Sequence, residues 1–346
     1  MARLRSMSIV IWVTTACNLQ CTYCYEGIEK ENVYLNGNTA DKIIIFIKEQ
    51  IECTGIQQLY LNFHGGEPLL NMIIIKSMVK EIKKLAMKFE VIVQYGMTTN
   101  GVLLDDSSIS FLSEHFQSLS ISIDGIQSVH DYNRIDHHGK GTYAIIMKNT
   151  KKLLDKKSDI RIRMTITAES VDGLFNNIYH LINNKFKTIV PVVNIEDQNW
   201  NIEKMNVLFR ELERTKKYMD QLNDPTITVG IVTNCKSVTK KSRCMGGKSS
   251  MHISCRGDIY PCVYTMENKK YLLGNVVSGI DEHKVENVHK ISNQEVDLCI
   301  GCTNQLFCDG PRCLLVNEKV TGYLKSPSPV LCQIEHVKRK LIGVNC

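Results

Sequence analysis

Three cysteines, Cys17, Cys21 and Cys24, stand in CxxxCxxC spacing inside the run Cys-Asn-Leu-Gln-Cys-Thr-Tyr-Cys-Tyr. Thiolates hold iron–sulfur clusters, and full protein ligation of a 4Fe–4S cluster takes four of them. Three on one short loop leave an iron open to another ligand. Other uses of these residues explain less. Structural zinc takes four ligands, usually in paired CxxC-type spacing, and no fourth lies near this loop. Disulfide frameworks dominate small secreted domains rather than chains of 346 residues. Arg3, Arg5, the apolar run 9–13 and Thr15-Ala16-Cys17 loosely imitate a lipoprotein signal. That run falls below the roughly 7–15 apolar residues such a signal needs, and lipidation gives Cys21 and Cys24 no role.

A second group is Phe63-His64-Gly65-Gly66-Glu67-Pro68. Paired glycines permit positive φ and close backbone approach to a ligand. Glu67 adds an acceptor suited to an ammonium group. On its own the run would read as a strand-ending turn. Farther on come Thr99-Asn100-Gly101 and Ser120-Ile121-Ser122-Ile123-Asp124-Gly125, then His130-Asp131 and Arg134. A guanidinium fork suits a carboxylate bidentately, where lysine would be only a point charge. An exposed salt bridge is the plainer use of Arg134.

These residues need elements to hold them, and the chain supplies six alternations. Stretches 8–13, 59–63, 91–97, 119–123, 161–166 and 188–195 are short and rich in β-branched residues. Between them lie amphipathic stretches near 39–53, 72–88, 106–116, 142–156, 171–184 and 202–222. Ile43, Ile44, Ile47 and Ile51 give the first helix its apolar stripe, and Asp105 or Asp106 can cap the third. Such repetition predicts a parallel α/β architecture, as an open doubly wound sheet or a barrel. In barrels the active site gathers on loops after the strand ends. The special residues follow strands one to four.

After about residue 230 periodicity fades, and Gly, Pro and Cys replace long helical patterns. Nine of the fourteen cysteines crowd into 235–332. We therefore expect two units, 1–230 and 231–346, without a flexible Gly/Ser linker. The composition, 43% hydrophobic and 23% charged, is that of a soluble globular protein. No apolar stretch nears the ~18–20 residues needed to span a bilayer, so no membrane partner is expected. A cytoplasmic location follows, where so many cysteines imply metal or catalytic chemistry. The net charge of +6 comes from lysines scattered over helices. No basic, aromatic-interleaved platform for nucleic acid is present.

Together these motifs resemble the radical SAM superfamily, in which S-adenosylmethionine (SAM) chelates the open iron and is cleaved to a 5′-deoxyadenosyl radical. The resemblance favours a partial (β/α)6 TIM-like barrel. It implies that Gly65, Gly66 and Glu67 meet the amino group of SAM and Ser122 touches it. Arg134 would grip its carboxylate, Asn100 would line the same pocket, and Tyr25 would lie beside the adenine.

The cysteines Cys244-x12-Gly257-x4-Cys262, Cys299-x2-Cys302-x5-Cys308-x4-Cys313 and Cys332 resemble the SPASM domain of peptide-modifying members, with two auxiliary 4Fe–4S clusters. The last gap is one residue longer than the usual x3. The resemblance implies one cluster on Cys235, Cys244, Cys262 and Cys313, and another on Cys299, Cys302, Cys308 and Cys332. Cys255 competes with Cys235 for a ligand position, or serves as a hydrogen-atom donor, or is an ordinary buried thiol. Cys299-x2-Cys302 also fits a zinc ribbon. Each cluster would tie together distant segments, so metal loss should unfold the module. Cys53 is expected in the core, and Cys346 is terminal.

The implied substrate is a peptide or protein, most plausibly a ribosomally made precursor. Thioether crosslinking leads, with carbon–carbon crosslinking and epimerisation open. An external electron donor such as flavodoxin or ferredoxin is expected. Only 16 residues precede Cys17, so leader recognition would fall to the barrel, the SPASM surface or a separate protein. The nearest rival is a sulfatase maturase, which makes formylglycine. Those enzymes typically carry Gln where His64 stands, and an aspartate base where Val263 stands. Valine cannot serve as a base. A rival of another class is a non-catalytic iron–sulfur protein, which leaves Gly-Gly-Glu-Pro and Arg134 unexplained.

Overall fold

A computed structural model describes residues 4–27, 31–233, 244–305, 308 and 313–342. The six alternations are β1 (Ser6–Thr14) with α1 (Gly37–Thr54), β2 (Gln58–Gly65) with α2 (Met72–Phe89), and β3 (Ile92–Thr99) with α3 (Asp106–His115). Then β4 (Ser118–Ser122) leads to α4 (Gln127–Asn133) and α5 (Tyr143–Lys156), β5 (Arg161–Ile166) to α6 (Leu174–Asn183), and β6 (Thr188–Val193) to α7 (Ile202–Leu222). A two-residue β7 (Thr228–Val229) and α8 (Gly230–Thr233) follow. β1 to β7 pair in chain order, all parallel. The sheet stays open, because the free side of β1 takes β8 (Ser250–Ile253) in parallel rather than β7. This is the expected α/β partial barrel.

The cysteine-rich region extends that sheet. β8, β9 (Asp258–Tyr260), β10 (Gly274–Asn275) and β11 (Gly279–Ile280) run antiparallel to one another. α9 (Glu282–Ser292) and α10 (Leu314–Thr321) pack against each other, and α11 (Pro329–Leu341) packs back onto α7 and α8 of the barrel.

Local chemistry explains the elements. Ile43, Ile47 and Ile51 of α1 are buried. Asn36 caps that helix by accepting from the Thr39 N–H (2.9 Å), and Gly55 ends it at φ 64°. Cys53 is exposed, contrary to expectation. It lies two residues past Ile51, about 200° round the helix and off the apolar stripe. Asp105 caps α3 in a capping box with Ser108. Asp105→Ala is expected to cost about 1 kcal/mol, read as a lower urea midpoint. The Ser108 hydrogen bonds hold the Asp105 carboxyl below its usual range. The cap therefore contributes fully above the unfolded-state pKa and is lost as pH falls through the lower folded value.

The inner strands carry two different faces. In β1, Ile9 and Ile11 are buried; in β2, so are Leu59, Leu61 and Phe63. Each is worth roughly 1.5–3 kcal/mol of burial against the helices. The intervening Val10, Trp12, Asn62 and His64 face the lumen instead. Parallel sheets covered on both sides read as continuous apolar runs. The alternation here marks a barrel whose interior is only partly filled.

Candidate active site

A cavity of about 670 Å³ opens at the strand ends and reaches from the cysteine loop to the cysteine-rich region. Its walls include Cys17, Cys21, Cys24, Tyr25, Gly65, Gly66, Asn100, Ser122 and Arg134. Glu67 lies behind the wall, fully buried. Its carboxylate accepts from the Leu69 N–H (3.0 Å), the Thr99 hydroxyl (2.7 Å) and the Asn100 N–H (2.7 Å). The cavity thus meets this motif through its two glycines, while Glu67 ties the turn to the end of β3. Burial pushes the Glu67 carboxyl up, and those three bonds oppose the shift.

The glycine turn also braces the cysteine loop. The Gly66 N–H donates to Thr14 O (3.0 Å), and the Glu67 N–H to Ala16 O (2.9 Å). Gly65 sits at φ 136°, and a Cβ on Gly66 would fall 2.3 Å from Ala16 O and 2.6 Å from Thr15 O. These are backbone atoms with no flexible end to yield. Gly66→Ala should therefore displace the segment entering Cys17 at a cost of about 1–3 kcal/mol. The expected result is weakened SAM binding in equilibrium dialysis together with lower thermal stability.

Beyond the turn, the loop is stitched to the α4 region. The Gln20 N–H donates to Ile135 O (2.8 Å) and the Thr22 N–H to Asn133 O (2.9 Å). Asn100 Nδ2 approaches Cys17 Sγ at 3.8 Å. Arg134 is buried rather than in an exposed salt bridge: its Nε donates to Asp124 Oδ2 at 3.0 Å. Asp124 also accepts from the Tyr23 hydroxyl and, through Oδ1, from the Thr165 N–H (3.0 Å). With Nε spent, Nη1 reaches to 3.9 Å from Cys21 Sγ. Burial pushes the Cys21 thiol up, and the guanidinium pulls it back. His130 Nδ1 accepts from the Asp124 N–H (3.3 Å), and burial depresses this imidazole to about 4.

The lumen brings His64 of the glycine motif together with two residues that no motif announced, Trp12 and His252. The Trp12 indole N–H donates to His252 Nδ1 (3.4 Å), and His64 lies against Trp12 with ring centroids 5.1 Å apart. Burial, then Arg163, lowers His64 to about 4; burial, then His64, lowers His252 to about 3. The polar-apolar alternation of Gln58-Leu59-Tyr60-Leu61-Asn62-Phe63-His64 was the signal that could have placed His64 in the lumen; nothing in it points to Trp12 or His252.

Among the distal cysteines, the charges acting on Cys262 include Cys313 and Cys244, and those acting on Cys332 include Cys302 and Cys299. The two expected groupings are thus each drawn together in part. Cys308 is buried, and Cys235 lies outside the described residues. Cys255 is buried, and that burial pushes its thiol up to about 12, with Glu267 and Glu26 adding to the rise and Arg256 opposing it. Among the described residues, no three His, Cys, Asp or Glu side chains converge tightly enough to share one ion.

A family model of the radical SAM superfamily matches residues 11–181, and one of an iron–sulfur cluster-binding domain, SPASM, matches 244–303. The cysteine-type anaerobic sulfatase-maturating enzyme of Clostridium perfringens (strain 13 / Type A) is 24% identical over 280 residues, 76% of this chain and 75% of that one. Native anSMEcpe with bound AdoMet and the Cp18Cys peptide shares the fold at TM-score 0.78 and 20% identity, over 97% of this chain and 98% of that one. Streptococcus suis SuiB bound to precursor peptide SuiA does so at TM-score 0.68 and 16% identity, over 95% and 76%. An open α/β barrel with a three-thiol loop at its mouth defines a radical SAM enzyme. This chain belongs to the radical SAM superfamily and carries a SPASM domain. Its cofactors are SAM and a 4Fe–4S cluster, with further iron–sulfur clusters in the SPASM domain.

Proposed function

We propose that this enzyme matures a ribosomally made precursor peptide, joining a cysteine sulfur to a carbon of another residue as a thioether. Val263 carries the reading: it follows Cys262 directly and lines the cavity with an apolar side chain. No base stands there to serve formylglycine chemistry. Both peptide-bound structural neighbours support a peptide substrate. When bound, SAM and its reduced cluster supply a hydrogen-abstracting radical.

The chain's own residues hold and enclose. Cys17, Cys21 and Cys24 present the thiolates. Gly65, Gly66 and Glu67 form the turn against the methionine part of SAM, with Asn100 and Ser122 beside it. Arg134 offers its remaining N–H groups to the carboxylate, and Tyr25 flanks the adenine. Cys235, Cys244, Cys262 and Cys313 form one auxiliary set; Cys299, Cys302, Cys308 and Cys332 form the other. We assign residues 1–230 to the barrel and 231–346 to the SPASM unit. A flavodoxin or ferredoxin supplies electrons, and a separate protein can present the leader. No described helix is long and apolar enough to cross a membrane, and the cysteine usage favours a reducing cytoplasm.

The test is anaerobic incubation of cluster-loaded enzyme with SAM, reductant and precursor peptides encoded near the gene. A thioether product lacks two hydrogens, has one fewer alkylatable thiol, and accompanies 5′-deoxyadenosine. A second reading, formylglycine formation, is favoured by the sulfatase-maturating relative that aligns with three quarters of this chain. It predicts a hydrazine-reactive aldehyde on a cysteine-bearing sulfatase peptide, and that result would displace the thioether assignment.

A further inference from the structure

β5 puts a guanidinium into the lumen. Ile162, Met164 and Ile166 are buried, while Arg163 between them is exposed and lines the cavity. The sheet fixes its place: Arg163 pairs with Ser122 on β4 and Val190 on β6, and its carbonyl accepts from the Ile123 N–H (3.0 Å). Its charge acts on three rings from separate parts of the chain: His64 on β2, Tyr25 after the cysteine loop and Tyr264 after Val263. The guanidinium therefore lies where the barrel meets the cysteine-rich region.

This cation has no counter-charge in contact. The other two arginines on the cavity are engaged, Arg134 with Asp124 (3.0 Å) and Arg256 with Glu31 (2.5 Å). Glu26, Glu196 and Glu267 line the same cavity and act on Tyr25, Tyr264 and Cys255. Among the described residues, none of these acids comes within ion-pair distance of Arg163, and its side chain makes no hydrogen bond. Lys319 of α10 is exposed at this cavity too. Water satisfies an open guanidinium, but a peptide filling the cavity displaces that water. Apolar neighbours such as Trp12, Val192 and Val193 then surround the charge, which is costly unless the occupant supplies a partner. Carbonyl groups would meet the N–H donors and leave the charge. A carboxylate meets both, through two parallel bonds.

We propose that Arg163 is a specificity residue that binds a carboxylate of the peptide substrate, from an Asp or Glu side chain or from the C-terminus. The inference rests on the peptide reading above and adds to it the charge of the group that the lumen takes. Arg163 acts apart from Arg134, which is assigned to the carboxylate of SAM.

The experiment measures binding rather than turnover. Anaerobic holoenzyme with SAM and no reductant is titrated calorimetrically with four tetrapeptides. Acetyl-Ala-Asn-Cys-Asn-amide is the neutral reference. In the others, Asp replaces the first Asn, Asp replaces the second, or the terminal amide is a free acid. The wild type should bind at least one acidic peptide about tenfold more tightly than the reference, a difference one charged hydrogen bond can supply. The peptide that gains identifies the source of the carboxylate. Arg163→Gln should erase the preference, and Arg163→Lys, which keeps the charge without the fork, should keep part of it. Lys319→Gln should keep all of it, and SAM affinity should be unchanged in every variant. A wild type that binds none of the four overturns the peptide reading and this subsite with it. A wild type that binds all four alike overturns the subsite alone, as does a preference that survives Arg163→Gln or is lost in Lys319→Gln. Loss of SAM affinity in Arg163→Gln would assign the guanidinium to SAM and likewise overturns the subsite.

Discussion

Replacing Cys21 with alanine is expected to abolish 5′-deoxyadenosine formation while leaving the barrel folded. The loop holds three cysteines at the cavity mouth, and two thiolates cannot retain a cluster that normally needs at least three protein ligands and a cosubstrate. Iron and sulfide content should fall by about one third if the SPASM clusters stay in place. The fold should survive because the backbone of the loop is tied elsewhere: Gln20 and Thr22 donate to Ile135 and Asn133, and the glycine turn clasps Thr14 and Ala16. Chromatographic assay of deoxyadenosine and iron analysis are the two measurements. Cys53→Ala, on the exposed side of α1, should match the wild type in both. Residual cleavage in Cys21→Ala at wild-type rate would remove this loop from the chemistry.

Asp124→Leu should be the most destabilising single change at the site. The carboxylate is 1% exposed and serves three donors: Arg134, Tyr23 and the Thr165 backbone. Removing it leaves a buried guanidinium without its counter-charge, a loss of about 3–5 kcal/mol. Thermal and urea unfolding of the cluster-loaded protein should register it at once. The double variant Asp124→Leu/Arg134→Met separates stability from function. Replacing a whole buried ion pair with apolar groups is often close to neutral, so much of the stability should return. SAM affinity should not return, because the guanidinium has gone. If affinity recovers along with stability, Arg134 is only a structural partner of Asp124.

Much of this was legible in residues close together in sequence. The thiol spacing, the glycine pair and the Asp105 cap are local chemistry, and each sits where its pattern placed it. The stripe of Ile43, Ile47 and Ile51 defined a helix face, and the same geometry, carried two residues further, would have put Cys53 in solvent. α4 escaped notice because seven residues give too few turns to show a period. The lumen residues were harder. His252 acts beside Trp12 only because β8 pairs with β1 across some 240 positions, and no local pattern encodes that pairing. Asp124 stood inside a noted motif, yet its part as the anchor of Arg134 depends on how α4 folds the chain back. The register of β1, β2 and β8 is what brings Trp12, His64 and His252 together in the lumen.

The pairing of β8 with β1 also bears on how the protein must be handled. Ser8 to Ile11 lie alongside Ser250 to Ile253, so β1 is sheltered by a segment of the cysteine-rich region, which loss of iron is expected to unfold. Stripping the metal would loosen that shelter and bare a row of main-chain donors and acceptors on a strand with strongly apolar neighbours. Such a row recruits further copies edge to edge. Oxygen exposure should therefore show itself first as turbidity and fibrous precipitate, before any loss of the helical far-ultraviolet signal.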